Sequence, residues 1–411
     1  MTPAEDVRRY GLDEPLDARF RNLPVDPELL TRAGTVGGVA GAGWHLDDLL
    51  LPTATLRASA LRHNGRLFAD WCAGHGVDFA PHGKTSMSPQ LVANQLADGA
   101  WAITAATVAQ ARAMRGWGVP RVLLANQVTD PAGLAWLAHT QRTDPELDLL
   151  VLADSVAGVE LLAAAGTSGR PLPVLLELGV PGGRTGSRSV EEALTVARAV
   201  EAAPGLRLAG VECFEGVHPG DRSESASAAV SAMVDLLGSL LSALDAEGLL
   251  QEEAVITAGG SSYPDLVVAS WAGLPTLSVP VRRVVRSGGY LFHDHGMLAR
   301  VSPFAELRPA LEVHAAVLSV PEPGLSLVGF GKRDASFDID LPVPLDAGPG
   351  VVVTKLNDQH AFVRHEEDAP WRVGERVRFG ISHPCTTLDR WPLLPLLADD
   401  DRVVGAVRTY F

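Results

Sequence analysis

Lys84 stands in the run Phe79-Ala80-Pro81-His82-Gly83-Lys84-Thr85-Ser86-Met87-Ser88-Pro89. A hydrophobic strand over 77–80 meets a proline, a polar turn and then a helix from Pro89. In a parallel α/β fold, ligands gather at the ends of such strands, where the connecting loops meet. An amine at that rim lies beside low-dielectric walls, and desolvation lowers its pKa. A neutral amine can form a Schiff base with an aldehyde. The competing reading is a solvated loop lysine, so the rest of the chain has to decide.

Four further stretches could bind a ligand or a metal. Thr257-Ala258-Gly259-Gly260-Ser261-Ser262 follows a buried strand and opens a helix. Glycines allow close backbone approach, and free amides with a serine hydroxyl can hold a phosphate. An ordinary turn reads equally well. Glu177 to Gly186 is a glycine-rich loop carrying Arg184, which could hydrogen-bond a ligand oxygen or simply lie on the surface. Arg286-Ser287-Gly288-Gly289-Tyr290 leads into His293-Asp294-His295. That triplet looks metal-like, but in an extended segment Asp294 points away from the two histidines, which favours surface or hydrogen-bonded residues over a metal site. Near the end, His383-Pro384-Cys385 places an imidazole and a thiol two residues apart. In an extended segment both face one way, and together they could grip zinc while leaving positions open. Two ligands alone are a weak site, and a buried cysteine is often only a small apolar residue.

The elements that would position these residues alternate. Helical spacing is read over Thr53 to Ala73, then a strand over 77–80 and a helix from Pro89 to Asp98. Strands follow at 101–105, 121–125, 147–153, 173–178, 206–212, 254–257 and 276–279, with helical patterns between them. Strand–helix alternation implies parallel βαβ units, and eight strands suit a (β/α)8 barrel of the TIM type. A doubly wound open sheet is the alternative. After about residue 300 the texture becomes β-rich and punctuated by Pro and Gly, as in an all-β domain. The expected division is an N-terminal arm over 1–45 that joins the β-domain, a barrel over 46–300 and a C-terminal β-domain over 301–411.

The chain has 411 residues, 46% hydrophobic and 20% charged, with net charge −15, which suits a soluble protein with ample core. Without a basic cluster, neither nucleic acid nor a membrane surface is an expected partner. Met1 to Asn22 lacks the apolar core of a signal peptide, and no uncharged run is long enough to span a bilayer. Three widely spaced cysteines argue against a disulfide framework and fit the cytoplasm.

Taken together, P-H-x-K-T, the E-x-G loop with Arg184, the G-G-S turn, R-x-G-x-Y and the late H-x-C resemble the alanine racemase-fold (fold type III) enzymes. Within them the likeness is to the D-serine dehydratase and D-threonine aldolase branch, and it covers about residues 45 to 411. The resemblance implies pyridoxal 5'-phosphate (PLP) carried by Lys84, with His82 beside it. It places Arg184 near the cofactor's phenolic oxygen and Phe214 near its face. It makes Gly259, Gly260 and Ser261 the phosphate cradle, and sets Arg286 and Tyr290 along the pyridine ring. His383 and Cys385 would hold a catalytic zinc or another divalent ion. The family's P-H-x-K-T-H-K departs here to Ser86-Met87, and Cys385 stands where the aldolase side tends to have Asp.

The implied activity is dehydration and deamination of a β-hydroxy-D-amino acid, D-serine-like, giving a 2-oxo acid and ammonia. Retro-aldol cleavage to glycine and an aldehyde is the alternative. A racemase would need a second base, usually a tyrosine early in the β-domain, and none of the four tyrosines lies there. By the same resemblance the partner is a small amino acid, and a homodimer is expected.

Overall fold

The computed structural model describes residues 2–166, 169–368 and 370–411. Eight parallel strands form the first sheet: β2 (Asp78–Phe79), β3 (Ile103–Ala105), β4 (Arg121–Leu124), β5 (Asp148–Ala153), β6 (Leu172–Leu178), β7 (Leu206–Cys213), β8 (Ala254–Ala258) and β9 (Val281–Val285). They pair in chain order from β3 to β9, and β9 pairs with β2. Backbone bonds from Trp101 to Phe79 and from Thr104 to Pro81, both 2.9 Å, join β2 to β3 and close the ring. The helices between strands begin at side-chain caps. Thr107, Asp130, Ser155, Ser189 and Ser223 each accept a bond from an amide in the first turn. Each cap contributes about 1 kcal/mol.

Alternation along the strands decides what faces the barrel axis. Ala80, Ala102, Leu123, Leu150, Leu152, Leu175, Ala209, Val255 and Val284 form one compact interior cluster. The residues between them pack outward against the helices. In β7, Gly210 has φ of +140°, and a Cβ there would lie 1.9 Å from the Val255 carbonyl oxygen, so only glycine fits this irregular pairing. The helix Glu224–Ala246 is long and apolar enough to cross a membrane by length and composition. Here Val230, Val234, Leu237 and Leu241 are buried, and it lies beside β7, β8 and the helix Pro264–Trp271.

The second sheet is built from β1 (Thr53–Arg57), β10 (Leu311–Glu322), β11 (Leu325–Val328), β12 (Val343–Pro344), β13 (Val352–Leu356), β14 (Ala361–Arg364), β15 (Arg376–Gly380), β16 (Leu393–Leu397) and β17 (Val403–Arg408). The main path runs β13-β14-β11-β10-β1-β16-β17, with β15 on β10 and β12 on β15. The α/β barrel with a C-terminal all-β domain is therefore the architecture. Two element boundaries differ from expectation. Thr53–Arg57 is a strand, not the start of a helix. Thr53 and Thr55 favour extended backbone, and both faces of β1 are buried between β10 and β16. The last barrel strand is Val281–Val285 rather than 276–279, because Pro280 lies between the two segments. The N-terminal residues Phe20, Val36, Val39 and Trp44 pack on Leu393, Leu397 and Val403 of the second sheet.

β1 thus ties the segment leading into the barrel to the center of the other sheet. Leu56, fully buried there, should cost about 2–5 kcal/mol when changed to Ala. The urea unfolding midpoint measures this.

Candidate active site

The alternation that buries the barrel axis also builds its mouth. One step beyond Ala80, Ala102, Leu175, Val255 and Val284 come His82, Thr104, Glu177, Thr257 and Arg286, all facing inward at the carboxyl ends of their strands. Arg286 is 1% exposed. It donates to Glu212 Oε2 at 2.6 Å, to Thr257 Oγ1 at 2.8 Å and to the Cys213 carbonyl at 3.0 Å. Its Nε and the Glu212 Oε1 are buried without partners. Burial raises the Glu212 carboxyl, and Arg286 draws it back.

Lys84 sits in a one-turn helix, Gly83–Thr85. Gly83 presses on Ile103 and Met114, so a Cβ there would meet Met114 Cε at 2.5 Å. The half-buried Lys84 amine has no hydrogen bond or ion pair among the described residues. Burial lowers its pKa, Arg184 and Arg286 push the same way, and Cys385 opposes them. His82 is held well below its ordinary pKa, by burial first and then by the charges of Lys84, Arg286 and Arg184. Its Nδ1 is buried without a partner. The chain has only three lysines, Lys84, Lys332 and Lys355. The other two lie in the β-domain over the rings of Phe337 and Phe362. Lys84 is therefore the barrel's one lysine, a signal the sequence offered that motif reading passed over.

The Gly259–Ser262 loop faces Ser287–Gly289. Ser261 Oγ accepts from the Gly289 amide at 3.0 Å and lies 3.0 Å from Ser287 Oγ. A Cβ on Gly259 would strike the Arg286 guanidinium at 2.7 Å, and one on Gly260 would strike Glu215 Oε1 at 2.2 Å. The helix Pro264–Trp271 then starts without a side-chain cap. Arg184 lies over the Phe214 ring at 4.2 Å, with Nη2 3.9 Å from Glu177 Oε1. Glu177 also accepts from Thr185 and Gln127.

His383 and Cys385 do not lie in an extended segment. Cys385 opens a short helix after Pro384. The turn still joins the two side chains, and Cys385 Sγ lies 3.5 Å from Thr85 Oγ1, beside Lys84. His383 Nδ1 bonds Asp338 Oδ2 at 2.6 Å. The hydrogen bond to Cys385 and, after it, Asp338 lift His383 to about 9. Burial would raise the thiol, but bonds to His383 and Thr85 outweigh it and lower it.

Two expectations need correction. Tyr290 does not face this site. Its ring stacks on Phe68 at 4.0 Å and its hydroxyl accepts from Gln95, because the turn Gly289–Leu291 rotates it into the helix layer. Nor is His293-Asp294-His295 extended. His293 has φ of +48°, and Asp294 caps the amides of Gly296 and Leu298. Motif reading also gave Glu177 no role of its own and missed Glu212 and Asp338. A carboxylate near the carboxyl end of a buried, largely apolar strand was the available signal for Glu177 and Glu212.

These residues fit pyridoxal phosphate. Among the described residues they offer an amine without a partner, a Ser261 hydroxyl that accepts from Ser287 and Gly289 and keeps its own proton for a phosphate oxygen, and buried polar atoms on His82 and Arg286 that still lack partners. For a metal, His383 oriented by Asp338 and Cys385 supply two donors. No cluster of three His, Cys, Asp or Glu ligands occurs among the described residues.

Two outcomes test these electrostatics. Arg286→Met leaves Glu212 buried without its counter-charge and should cost about 3–5 kcal/mol in urea unfolding. Glu215, fully buried and without an ion pair among the described residues, is pushed up to about 7 by burial. The folded state then holds this proton more tightly than the unfolded chain. Glu215 contributes stability below the unfolded value, and that stability is lost as pH rises through about 7. Glu215→Gln should therefore raise stability at pH 8 relative to pH 5 by up to about 3 kcal/mol, measured by urea midpoints at the two pH values.

Residues 56–263 match the alanine racemase N-terminal domain family, and residues 310–397 match a serine dehydratase domain. A 3-hydroxy-D-aspartate aldolase of Paracoccus denitrificans (strain Pd 1222) is 27% identical over 361 residues, 85% of this chain and 89% of that protein. A D-threo-3-hydroxyaspartate dehydratase of Delftia sp. (strain HT23) is 26% identical over 398 residues, 89% of this chain and 98% of that one. The crystal structure of D-threonine aldolase from Filomicrobium marinum has a TM-score of 0.78 at 25% identity, covering 89% of this chain and 96% of that chain. With half of its length matched and a lysine at the mouth of the barrel, the chain belongs to the alanine racemase N-terminal domain family, within the lyase branch that includes D-threonine aldolase and D-threo-3-hydroxyaspartate dehydratase.

Proposed function

We propose that the protein is a lyase that dehydrates a β-hydroxy-D-amino acid, D-serine-like, to a 2-oxo acid and ammonia. It would use pyridoxal 5'-phosphate on Lys84 and a zinc or other divalent ion at His383 and Cys385. The observation that carries this reading is the approach of the β-domain's His383-Pro384-Cys385 to the barrel's lysine turn, through Cys385 and Thr85. An amine and a pair of metal donors then flank one substrate position.

Pyridoxal phosphate, when bound, supplies an electron sink for negative charge at the substrate Cα. A metal at the two donors would supply Lewis acidity toward the β-hydroxyl. The protein's own residues do the rest. Burial shifts Lys84 toward its neutral form, the form in which an amine can take the α-proton. Asp338 orients His383, and Thr85 positions Cys385. Gly259, Gly260 and Ser261, the last oriented by Ser287 and Gly289, would hold the phosphate end. Loss of the α-proton and the β-hydroxyl, followed by hydrolysis, releases the 2-oxo acid and ammonia.

Aldolase cleavage is the second reading, favored by the likeness to the Paracoccus aldolase. There the β-hydroxyl proton leaves and the Cα–Cβ bond breaks, giving glycine and an aldehyde. Racemization has less support. The Tyr263 hydroxyl is bonded to the Pro219 carbonyl, Tyr290 points into the helix layer, and Tyr10 and Tyr410 pack on each other.

Assays with D-serine, D-threonine and D-threo-3-hydroxyaspartate distinguish these reactions by product. Dehydration yields a 2-oxo acid and ammonia, whereas glycine as the main product would select the aldolase. Lys84→Ala should lower turnover by about 10³-fold or more. His383→Ala should match the loss caused by a chelator in the wild type, and the chelator should then add nothing. Full activity in His383→Ala would contradict the metal assignment.

A further inference from the structure

A second cavity lies outside the barrel, between the helices Ala58–Gly74 and Pro264–Trp271, with a volume of about 400 Å³. Its walls are largely apolar, with Trp71, Val77, Val268 and Trp271 among them. Arg283 opens into it from β9. The alternation that turns Val284 and Arg286 toward the barrel axis turns Arg283 outward.

Arg283 differs from the arginines around it. Its neighbor Arg282 pairs with Glu253 and Asp78. Arg283 has no ion pair, hydrogen bond or ring partner among the described residues, and its Nε is buried without an acceptor. The one carboxylate in the cavity wall, Asp265, is occupied by Arg222, at 3.0 Å through Nη1 and 2.7 Å through Nη2. The Trp271 indole N–H is also buried without an acceptor, on a side chain only 1% exposed. His75 at the rim has Nδ1 committed to the Trp71 carbonyl at 2.8 Å. One cavity thus holds a guanidinium without a counter-charge and an unmatched indole donor, in a chain whose net charge is −15. A buried donor left unmatched destabilises the fold, and a bound acceptor would relieve it.

We infer that this groove is a binding site for a small organic anion with an apolar body, its carboxylate or other oxyanion held by Arg283 and its body lying along Trp71 and Val268. A guanidinium matches two oxyanion oxygens at once, which selects an anion over a neutral ligand. The apolar walls select a hydrocarbon body over a bare inorganic ion. The site is separate from the Lys84 mouth. The Lys84 reaction does not depend on it, although β9 continues directly into Arg286.

Calorimetric titration of the PLP-loaded protein tests this with three probes, benzoate, benzyl alcohol and inorganic phosphate. Benzoate should bind one per chain with Kd below about 1 mM, and the other two should bind at least tenfold more weakly. Arg283→Gln should weaken benzoate at least tenfold. Ala269→Phe, on an exposed helix position lining the groove, should do the same by filling it. A circular dichroism melt confirms that both variants fold, and Ala269→Phe carries the test should Arg283→Gln be unstable. Absent benzoate binding in the wild type, or equal affinity in a folded variant, overturns the inference. Phosphate binding as tight as benzoate overturns the apolar part of the ligand class.

Discussion

The closure of β2 onto β3 fixes the position of everything chemical in this molecule. Pro81 has no amide to give, but its carbonyl accepts from Thr104 at 2.9 Å, and the Thr104 hydroxyl donates to the Ala80 carbonyl at 2.6 Å. These bonds hold the strand's end against the ring, so the chain must turn at Gly83 and leave Lys84 over the mouth. The β-domain then grips the same turn from outside. The Tyr410 amide bonds the Met87 carbonyl at 2.8 Å, and Met87 takes a left-handed φ of +42°. Lys84 is thus fixed from two domains while its own amine remains unpaired.

Charge at the mouth is balanced by burial. Arg184 and Arg286 both lie close enough to push Lys84 toward its neutral form, and each is itself countered by a strand-end carboxylate, Glu177 and Glu212 respectively. Arg286 can stay charged in its dry setting because Glu212 is near, whereas Arg184 is half exposed to water. Glu215 is the exception. It is a buried carboxyl against the Gly260 backbone with no ion pair among the described residues, so burial favours its protonated form.

Much of this could be read from the sequence. Eight apolar runs spaced by helical patterns gave the barrel, since its interior alternation is local and strong. The Pro- and Gly-punctuated tail gave the second sheet. Lys84, Arg184, Gly259, Gly260, Ser261, Arg286, His383 and Cys385 stood out because strand ends, loops and turn glycines are visible locally, whereas their roles, and Phe214 altogether, came from the family resemblance. The strand β1 was hidden because Thr53–Arg57 flows directly into a helix, and only pairing with residues more than 250 positions away reveals it. Tyr290 was misplaced because one tight turn rotates its ring away from Arg286, four residues earlier. Asp338 was unreadable because its partner His383 lies 45 residues on. The extended picture of His383 and Cys385 failed at Pro384, which starts a helix, although the two side chains still meet.

The most direct measurement is borohydride reduction of the protein after incubation with pyridoxal phosphate, followed by peptide mass mapping. The three lysines make the readout unambiguous. A pyridoxyl adduct on the peptide containing Lys84, together with loss in the wild type of an absorbance band at about 420 nm, is the expected result. No adduct, or one confined to Lys332 or Lys355, would contradict the assignment of Lys84 and the catalytic reading built on it.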